Sequence, residues 1–543
     1  MARTIEKVRL SEAEGSPQKL QRKRAILIAT IVVLAFCARS YKLGSASLAE
    51  DEANKLFAVW CYKQGDFTAN AEHPMLMKLL CLISTSAADA WNRFAGGRLA
   101  ISEEVALRFP NALFGALTVI PLFLLANAIL GFRVSLLASL MWALGLNAIW
   151  FNRITKEDTL MVFFMLWGYY LYNRAKSCSA SDPGREERLY ILSGIAFGLM
   201  MASKYFPHYY GLLALFYHLA GHDSRNNRPL TRRLKASHFG AMVLAFMALN
   251  PALFTPQTWR YLIRYVSEGF ITHHGYLMMD RIYQNDISET PGGMPWYFYL
   301  LYFGVKIPPP LLLAFAIGFV EIFRRREPSP DSRGYLFLRI MLLFWLVPMS
   351  IVGSKFLRYT LALMPFFYMT AAVGAALLWD KAIRPLSGVW SHLPATAIFL
   401  IFVVAPGAVT VWNLPHLSLY VNAFGGGRAG YYFPHDEFYD LGVRECLRYI
   451  AENAPRGASV ASEVPGVSQY YLERFGRSDI RVQVLSNPRF NLESDPPDFV
   501  LLQRGRYYFE NQRYFGLIED NYPLVWESRF RGAAASRVYK LIR

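Results

Sequence analysis

Three carboxylates in a row, Glu50-Asp51-Glu52, follow the first apolar stretch of the chain. A second acidic pair closes the run Asn152-Arg153-Ile154-Thr155-Lys156-Glu157-Asp158, between two further apolar stretches. Adjacent carboxylates repel, so one of a pair is expected to hold its proton to higher pH and to serve as a base near neutrality. A solvated acidic turn is the ordinary use of such residues. Their company argues for more, because charges this close to hydrocarbon are costly unless they are paired or used. With two acidic pairs, Asp51 and its neighbour Glu52 can take a proton while Glu157 and Asp158 orient an acceptor or hold a divalent cation. Arg153 and Lys156 add cations to the second group.

Between these groups lies Glu72-His73-Pro74, followed by apolar residues spaced as in a helix lying flat on a membrane surface. Glu72 and His73 at its head are candidates for substrate or metal binding; a plain polar helix start is the alternative. Cations recur farther on: Lys204 with Tyr205, Lys306 before Pro308-Pro309-Pro310, and Lys355 with Arg358 in Ser354-Lys355-Phe356-Leu357-Arg358-Tyr359. Singly, each would serve as an interfacial anchor. Converging on one end of a helix bundle, they would bind a lipid phosphate whose tail lies in the bilayer. Lys306 sits within an apolar run and requires an anionic partner. His273-His274 is a weak metal signal.

The chain that must position these groups has 543 residues, 54% hydrophobic and 18% charged. That balance exceeds a soluble enzyme's and predicts an α-helical multi-span membrane protein. Apolar runs at roughly 25–43, 106–130, 133–151, 159–174, 189–204, 206–221, 236–254, 296–322, 335–353, 357–379 and 392–413 give about eleven transmembrane helices. The net charge of +17 gathers in short clusters such as Arg22-Lys23-Arg24 and Arg324-Arg325-Arg326. These are topology-setting loops, and no nucleic acid is needed to explain them. The reading is of an integral plasma (inner) membrane protein with residues 1–24 as a cytoplasmic tail. Residues 25–413 form the membrane domain with outer loops 44–105 and 255–295, and 414–543 form an extracytoplasmic linker and small α/β domain. Gly425-Gly426-Gly427 reads as a flexible joint. Cys37, Cys61, Cys81, Cys178 and Cys446 lack disulfide-framework or zinc-finger spacing.

The order of these motifs resembles the C-type glycosyltransferases, the superfamily of protein O-mannosyltransferases and the lipid A aminoarabinose transferase. The matching residues are Asp51-Glu52-Ala53 after the first span, Gly65-Asp66-Phe67 before Glu72-His73-Pro74, and Arg108-Phe109-Pro110 with Gly115. Glu157-Asp158, Ala202-Ser203-Lys204-Tyr205, and Lys355 with Arg358-Tyr359 extend the match. The resemblance implies transfer of a sugar from a polyprenyl-phosphate carrier to a protein, lipid or glycan acceptor on the outer face of the membrane, with inversion. Asp51 would then be the general base and Glu52 its neighbour. Glu157 and Asp158 would support base or acceptor, and Lys204, Lys355 and Arg358 would face the leaving phosphate. No cofactor is firmly implied; a divalent metal is the one candidate. A membrane transporter or lipid-linked-sugar flippase is the rival reading, distinguished by movement of substrate without covalent transfer.

Overall fold

The computed structural model describes residues 17–178, 182–220, 229–267, 275–324, 332–380 and 393–541. His273, His274 and most of the 1–24 tail lie outside the described residues. The first helices are Pro17–Ser40 (α1), Glu50–Lys63 (α2), Leu76–Ala95 (α3), Glu103–Leu117 (α4), Val119–Leu130 (α5), Phe132–Leu144 (α6), Leu146–Asn152 (α7) and Asp158–Lys176 (α8). Pro183–Ser203 (α9), His208–Leu219 (α10), Arg232–Ala248 (α11) and Pro256–Ser267 (α12) precede a hairpin of Tyr276–Met278 (β1) and Arg281–Tyr283 (β2). Phe298–Lys306 (α13), Pro309–Arg324 (α14), Ser332–Ile351 (α15) and Met364–Leu378 (α16) follow. Leu393–Phe399 (α17) passes through a π-helical stretch, Leu400–Val404, into Ala405–Asn413 (α18).

Each apolar run read from the sequence is helical, but several are broken. α6 and α7 are bent by 54°. The bend falls at Gly145, where a Cβ would collide with the Tyr368 hydroxyl and the Met141 carbonyl. By length and composition, Glu103–Leu130, Arg333–Ile351 and Thr396–Asn413 are the three described helices able to cross a membrane, with α6–α7 a fourth if the bent pair is one span. The expected eleven are not reached on that measure, because breaks and charged ends shorten the uninterrupted apolar length. Gly318 on α14 and Gly374 on α16 bring two backbones together; a Cβ on either would overlap a carbonyl of the other helix.

The loop between α1 and α4 is built from two helices rather than irregular chain. α2 starts on half of a capping box: the Ala49 amide donates to Glu52 Oε2 at 3.1 Å, while the Glu52 amide, with no side-chain acceptor on Ala49, donates to the Ala49 carbonyl at 2.9 Å. Glu50, Asp51 and Glu52 fill its first turn, where the helix dipole favours negative charge.

After α18 the chain forms short helices Pro434–Phe438 (α19) and Val443–Asn453 (α20), then a sheet with helices Pro465–Arg474 (α21) and Gln512–Asn521 (α22). The strands are Ser459–Ala461 (β3), Arg481–Gln483 (β4), Phe499–Gln503 (β5), Leu524–Phe530 (β6) and Ala533–Lys540 (β7), in the order β4-β3-β5-β7-β6. β3 pairs parallel with β4 and β5, while β7 runs antiparallel to β5 and β6. The core under one face is not the domain's own. Val460, Leu501, Val538 and Ile450 share one buried cluster with Leu48, Leu56, Val59 and Met77 of the α2–α3 region. Nor is Gly425–Gly427 a flexible joint. Asn422 caps that turn and donates to the Gly304 and Ile307 carbonyls at 2.7 and 2.8 Å, so the linker is pinned where α13 gives way to α14.

Candidate active site

Asp51 and Glu52 are adjacent in sequence but about 100° apart around a helix, and the structure separates their surroundings completely. Glu52 is 1% exposed. Its Oε1 accepts from Arg108 Nε at 2.9 Å and the Thr155 amide at 2.9 Å, and its Oε2 from Arg108 Nη2 at 2.6 Å and the Ala49 amide at 3.1 Å. Arg108 also binds the carbonyls of Leu43, Ala46 and Ser47. This carboxylate ties the α1–α2 turn, α4 and the Thr155 loop together and has no oxygen left for a substrate.

Asp51 faces the other way and keeps 30% of its side chain exposed. Lys156 Nζ and the Tyr439 hydroxyl both reach Oδ2 at 2.5 Å, and among the described residues Oδ1 accepts no hydrogen bond. Lys55, one helical turn after Asp51, pairs with Glu157 at 2.9 Å. Two ion pairs therefore cross between the same two segments: Asp51 of α2 with Lys156 of the 152–158 loop, and Lys55 of α2 with Glu157 of that loop. Asp158, in the first turn of α8, pairs with Lys204 at 2.7 Å, whose ammonium lies over the Phe206 and Tyr359 rings at 4.7 and 5.0 Å.

The expectation that neighbouring carboxylates raise each other's pKa fails, because each found a cation of its own. For Asp51, burial works to raise the pKa, but Lys156, Arg358 and Lys55 hold the carboxyl well below its usual range. At Glu52 the same burial effect is outweighed by Arg108 and the backbone donors. At Glu157 it is outweighed by His73, Lys55 and Lys156. Lys55 is the partner that counts near neutral pH, since burial depresses His73 to about 4 and leaves its ring neutral. Burial lowers Lys156 to about 8 despite the attraction of Asp51.

Arg358 completes the cluster. Its guanidinium stacks 4.1 Å from the Phe356 ring and shares a narrow pocket with Trp150, Lys156, Asp158, Asp436 and Tyr439. Asp436 Oδ2 accepts from the Tyr276 hydroxyl at 2.5 Å and the Leu357 amide at 3.1 Å.

Other residues expected at the site have different employment. Lys306 does have the anionic partner its position demanded, Glu437 at 2.8 Å, and it also donates to the Ser418 and Tyr420 carbonyls at 2.9 and 2.8 Å. It fastens the C-terminal segment to the end of α13, not a lipid phosphate. Lys355 is 0% exposed and turns its ammonium to the Met294 and Val352 carbonyls. Arg153 binds the carbonyls of Arg39, Tyr41 and Lys42 at the end of α1. Glu72 accepts from Asn70 and from Tyr261 of α12, the latter at 2.7 Å. His73 lies 3.9 Å from Glu157 at the edge of the cluster, and Tyr205 is exposed, its ring 6.2 Å from that of Phe246. Lys55 and Tyr439 were not singled out from the sequence. Lys55 carries a signal, its spacing of four from Asp51 on a helix.

Among the described residues, no group of three or more His, Cys, Asp or Glu side chains is arranged to hold a metal ion. The charge that a divalent cation would supply to these acids is supplied by Lys55, Lys156, Lys204 and Arg108.

Comparison with known proteins agrees with the resemblance read from the motifs. The family model for dolichyl-phosphate-mannose-protein mannosyltransferase matches residues 89–254. The apo crystal structure of ArnT from Cupriavidus metallidurans superposes with a TM-score of 0.53 at 14% identity, covering 96% of this chain and 98% of that one. The archaeal oligosaccharyltransferase AglB from Archaeoglobus fulgidus, in complex with an inhibitory peptide and a dolichol-phosphate, gives 0.51 at 13% identity, covering 94% and 74%. Both are C-type glycosyltransferases, and this chain has their fold. No curated protein sequence matches significantly.

Proposed function

We propose that this protein is an integral membrane glycosyltransferase that moves a sugar from a polyprenyl-phosphate carrier to an acceptor at the outer face of the membrane, with inversion and with Asp51 as the base. The membrane domain spans 25–413 with a cytoplasmic N-terminus, and 414–543 lie outside. One observation carries the reading. Asp51 is the part-exposed acid of the α2–loop cluster, and its Oδ1 accepts no hydrogen bond among the described residues, whereas the unpartnered Asp158 Oδ2 is buried; Lys156 pairs with Asp51, and Arg358, a second cation able to bind a phosphate, acts on the same carboxylate.

In the reaction an acceptor oxygen or nitrogen attacks the anomeric carbon from the side opposite the phosphate. The new bond forms as the carbon–oxygen bond to phosphate breaks, and that electron pair leaves on the phosphate. The acceptor's proton passes to Asp51 Oδ1. The leaving phosphate needs no general acid, because Lys156 and Arg358 stabilise the charge it gains. An ionised Asp51 in the resting protein is a weak base; a phosphate that draws Lys156 and Arg358 toward itself relieves the carboxylate of its cations and strengthens it. Lys55, Glu157, Glu52 and Arg108 hold this geometry, and Lys204 with Asp158 flanks it.

The test is transfer by purified protein from a labelled polyprenyl-phosphate sugar to a panel of hydroxyl and amine acceptors. Asp51→Asn is expected to abolish it, and parental turnover in that variant would refute the assignment. Substrate crossing sealed vesicles without covalent transfer would establish the transporter reading instead.

A further inference from the structure

The C-terminal domain reaches the candidate base through one residue. Tyr439 donates its hydroxyl to Asp51 Oδ2 across 388 positions of sequence. It does so in an uncommon backbone conformation, with φ 43°, and Asp440 after it has φ 62°. Left-handed geometry is an outlier for a bulky aromatic residue, and such residues persist only where their surroundings over-determine them.

Those surroundings are elaborate on both sides of Tyr439. Beyond it, the Asp440 carboxylate accepts from Arg506 Nε and Nη2 at 2.7 and 2.5 Å, Gln503 at 2.9 Å and the Glu50 amide at 2.9 Å. The Asp440 carbonyl accepts from Ser47 at 2.5 Å. Before it, Glu437 pairs with Lys306 and Asp436 with Tyr276. The segment 434–440 is thus a strap fixed to α13, to the β1 strand and to the start of α2. Its two anchors are charged, and between them the one side chain delivered to Asp51 is a phenol.

We infer that Tyr439 is a positioning residue for sugar transfer: with Lys156 it fixes Asp51 Oδ2, so that Oδ1 is presented to the acceptor. This rests on the reading of Asp51 as the base. It makes the C-terminal domain a component of the site rather than an appendage. Burial and the neighbouring Asp51 keep the Tyr439 phenol far above its ordinary pKa, so it remains a donor throughout the working range.

The experiment compares Tyr439→Phe, which keeps the ring, with the parent and with Asp51→Asn. Turnover per folded molecule is followed against pH with the labelled donor, with thermal melting recorded alongside. Losing a hydrogen bond to a charged group is expected to lower kcat by about 10- to 100-fold. The KM for the donor should change little, because the lost contact is to the base and not to the phosphate. Lys156, Arg358, Lys55 and Tyr439 face Asp51, with His73 and Tyr265 also in electrostatic contact with it. Removing the phenol takes away a donor that favours the anion, so the acid limb of the kcat profile moves to higher pH. Parental kcat and an unmoved limb in Tyr439→Phe, with Asp51→Asn inactive, would overturn the inference alone. A lowered melting midpoint with parental turnover per folded molecule would overturn it too. Parental turnover in Asp51→Asn would remove the reading on which it rests.

Discussion

Glu52→Gln separates a structural acid from a reactive one. The carboxylate it replaces is 1% exposed and accepts four hydrogen bonds, two of them from Arg108. A glutamine offers one acceptor oxygen, and its amide group is turned toward donors it cannot satisfy. Breaking a buried ion pair from one side costs about 3–5 kcal/mol, and partial retention of the hydrogen bonds places this variant near the lower end, ~3 kcal/mol. For a cooperative unit of this size, with an unfolding entropy of about 2 cal/mol/K per residue, that is a fall in Tm of about 3 °C. The assay is thermal melting in detergent of Glu52→Gln, Arg108→Met and the double variant. The two changes should be non-additive by about 2 kcal/mol, because each single change strands the other partner's charge while the double change leaves neither charge stranded. The acid dependence has a definite sign. Burial alone would raise the Glu52 pKa, but Arg108 and the backbone donors depress it below the ordinary glutamate value. The ion pair's stabilisation is therefore present above about pH 4.5 and is lost as pH falls toward the depressed folded value. The parent should lose stability on acidification below that point, and Glu52→Gln should lose less. Parental melting in Glu52→Gln, or strict additivity with Arg108→Met, would refute the structural assignment.

Lys156, lowered by burial to about 8, should give transfer an alkaline limb near pH 8, where the ammonium beside Asp51 discharges. Lys156→Arg keeps its charge and should move that limb upward, measured as kcat against pH; an unmoved limb would assign it to another group. Lys306→Met strands the buried Glu437 carboxylate and should cost about 3–5 kcal/mol, with Glu437→Gln in the same chain restoring part of it. Limited proteolysis within 414–433 reports the loosened anchor, and unchanged cleavage would count against Lys306 as a tether.

The types and rough location of the site residues were legible in the sequence, because acids and bases beside long apolar runs are rare enough to point at themselves. Their pairing was not. The carboxylates of Asp51 and Glu52 look like neighbours that repel until α2 is recognised as a helix from its first residue, which turns them to different partners. Arg108 and Lys306 show the same limit from the other side: a cation in an apolar run announces that it needs an anion, but the anion lies 56 residues away for Arg108 and far along the chain for Lys306. The apolar runs marked helices correctly and their breaks less so. α6 bends into α7 at Gly145, where Tyr368 leaves no room for a side chain, a contact that local pattern cannot contain. The C-terminal α/β character was visible in alternating strands such as Phe499–Gln503; its shared core with α2 and α3 was not, since burial against another segment reads the same as burial within one's own.

The crossed ion pairs bear on why transfer at such a site needs little electrostatic reorganisation. Asp51, Glu157 and Asp436 stand against Lys55, Lys156 and Arg358, so the cluster is close to neutral before a donor enters. In the proposed reaction the acceptor's proton neutralises Asp51 in the same event that gives the phosphate a second negative charge. Negative charge moves from the carboxylate to the phosphate, past two cations that face both, and the total does not change. In a poorly hydrated site a net change in charge would be expensive, whereas relocation between fixed partners is not. The same reasoning makes a depressed Asp51 pKa compatible with the proposed role of Asp51 as base. The cations that depress it in the resting protein are those the phosphate claims, so base strength rises where and when donor is bound. An acceptor offered without donor meets a carboxylate too weak to take its proton, which favours donor binding first and guards the carrier-linked sugar against loss to an unproductive order of events.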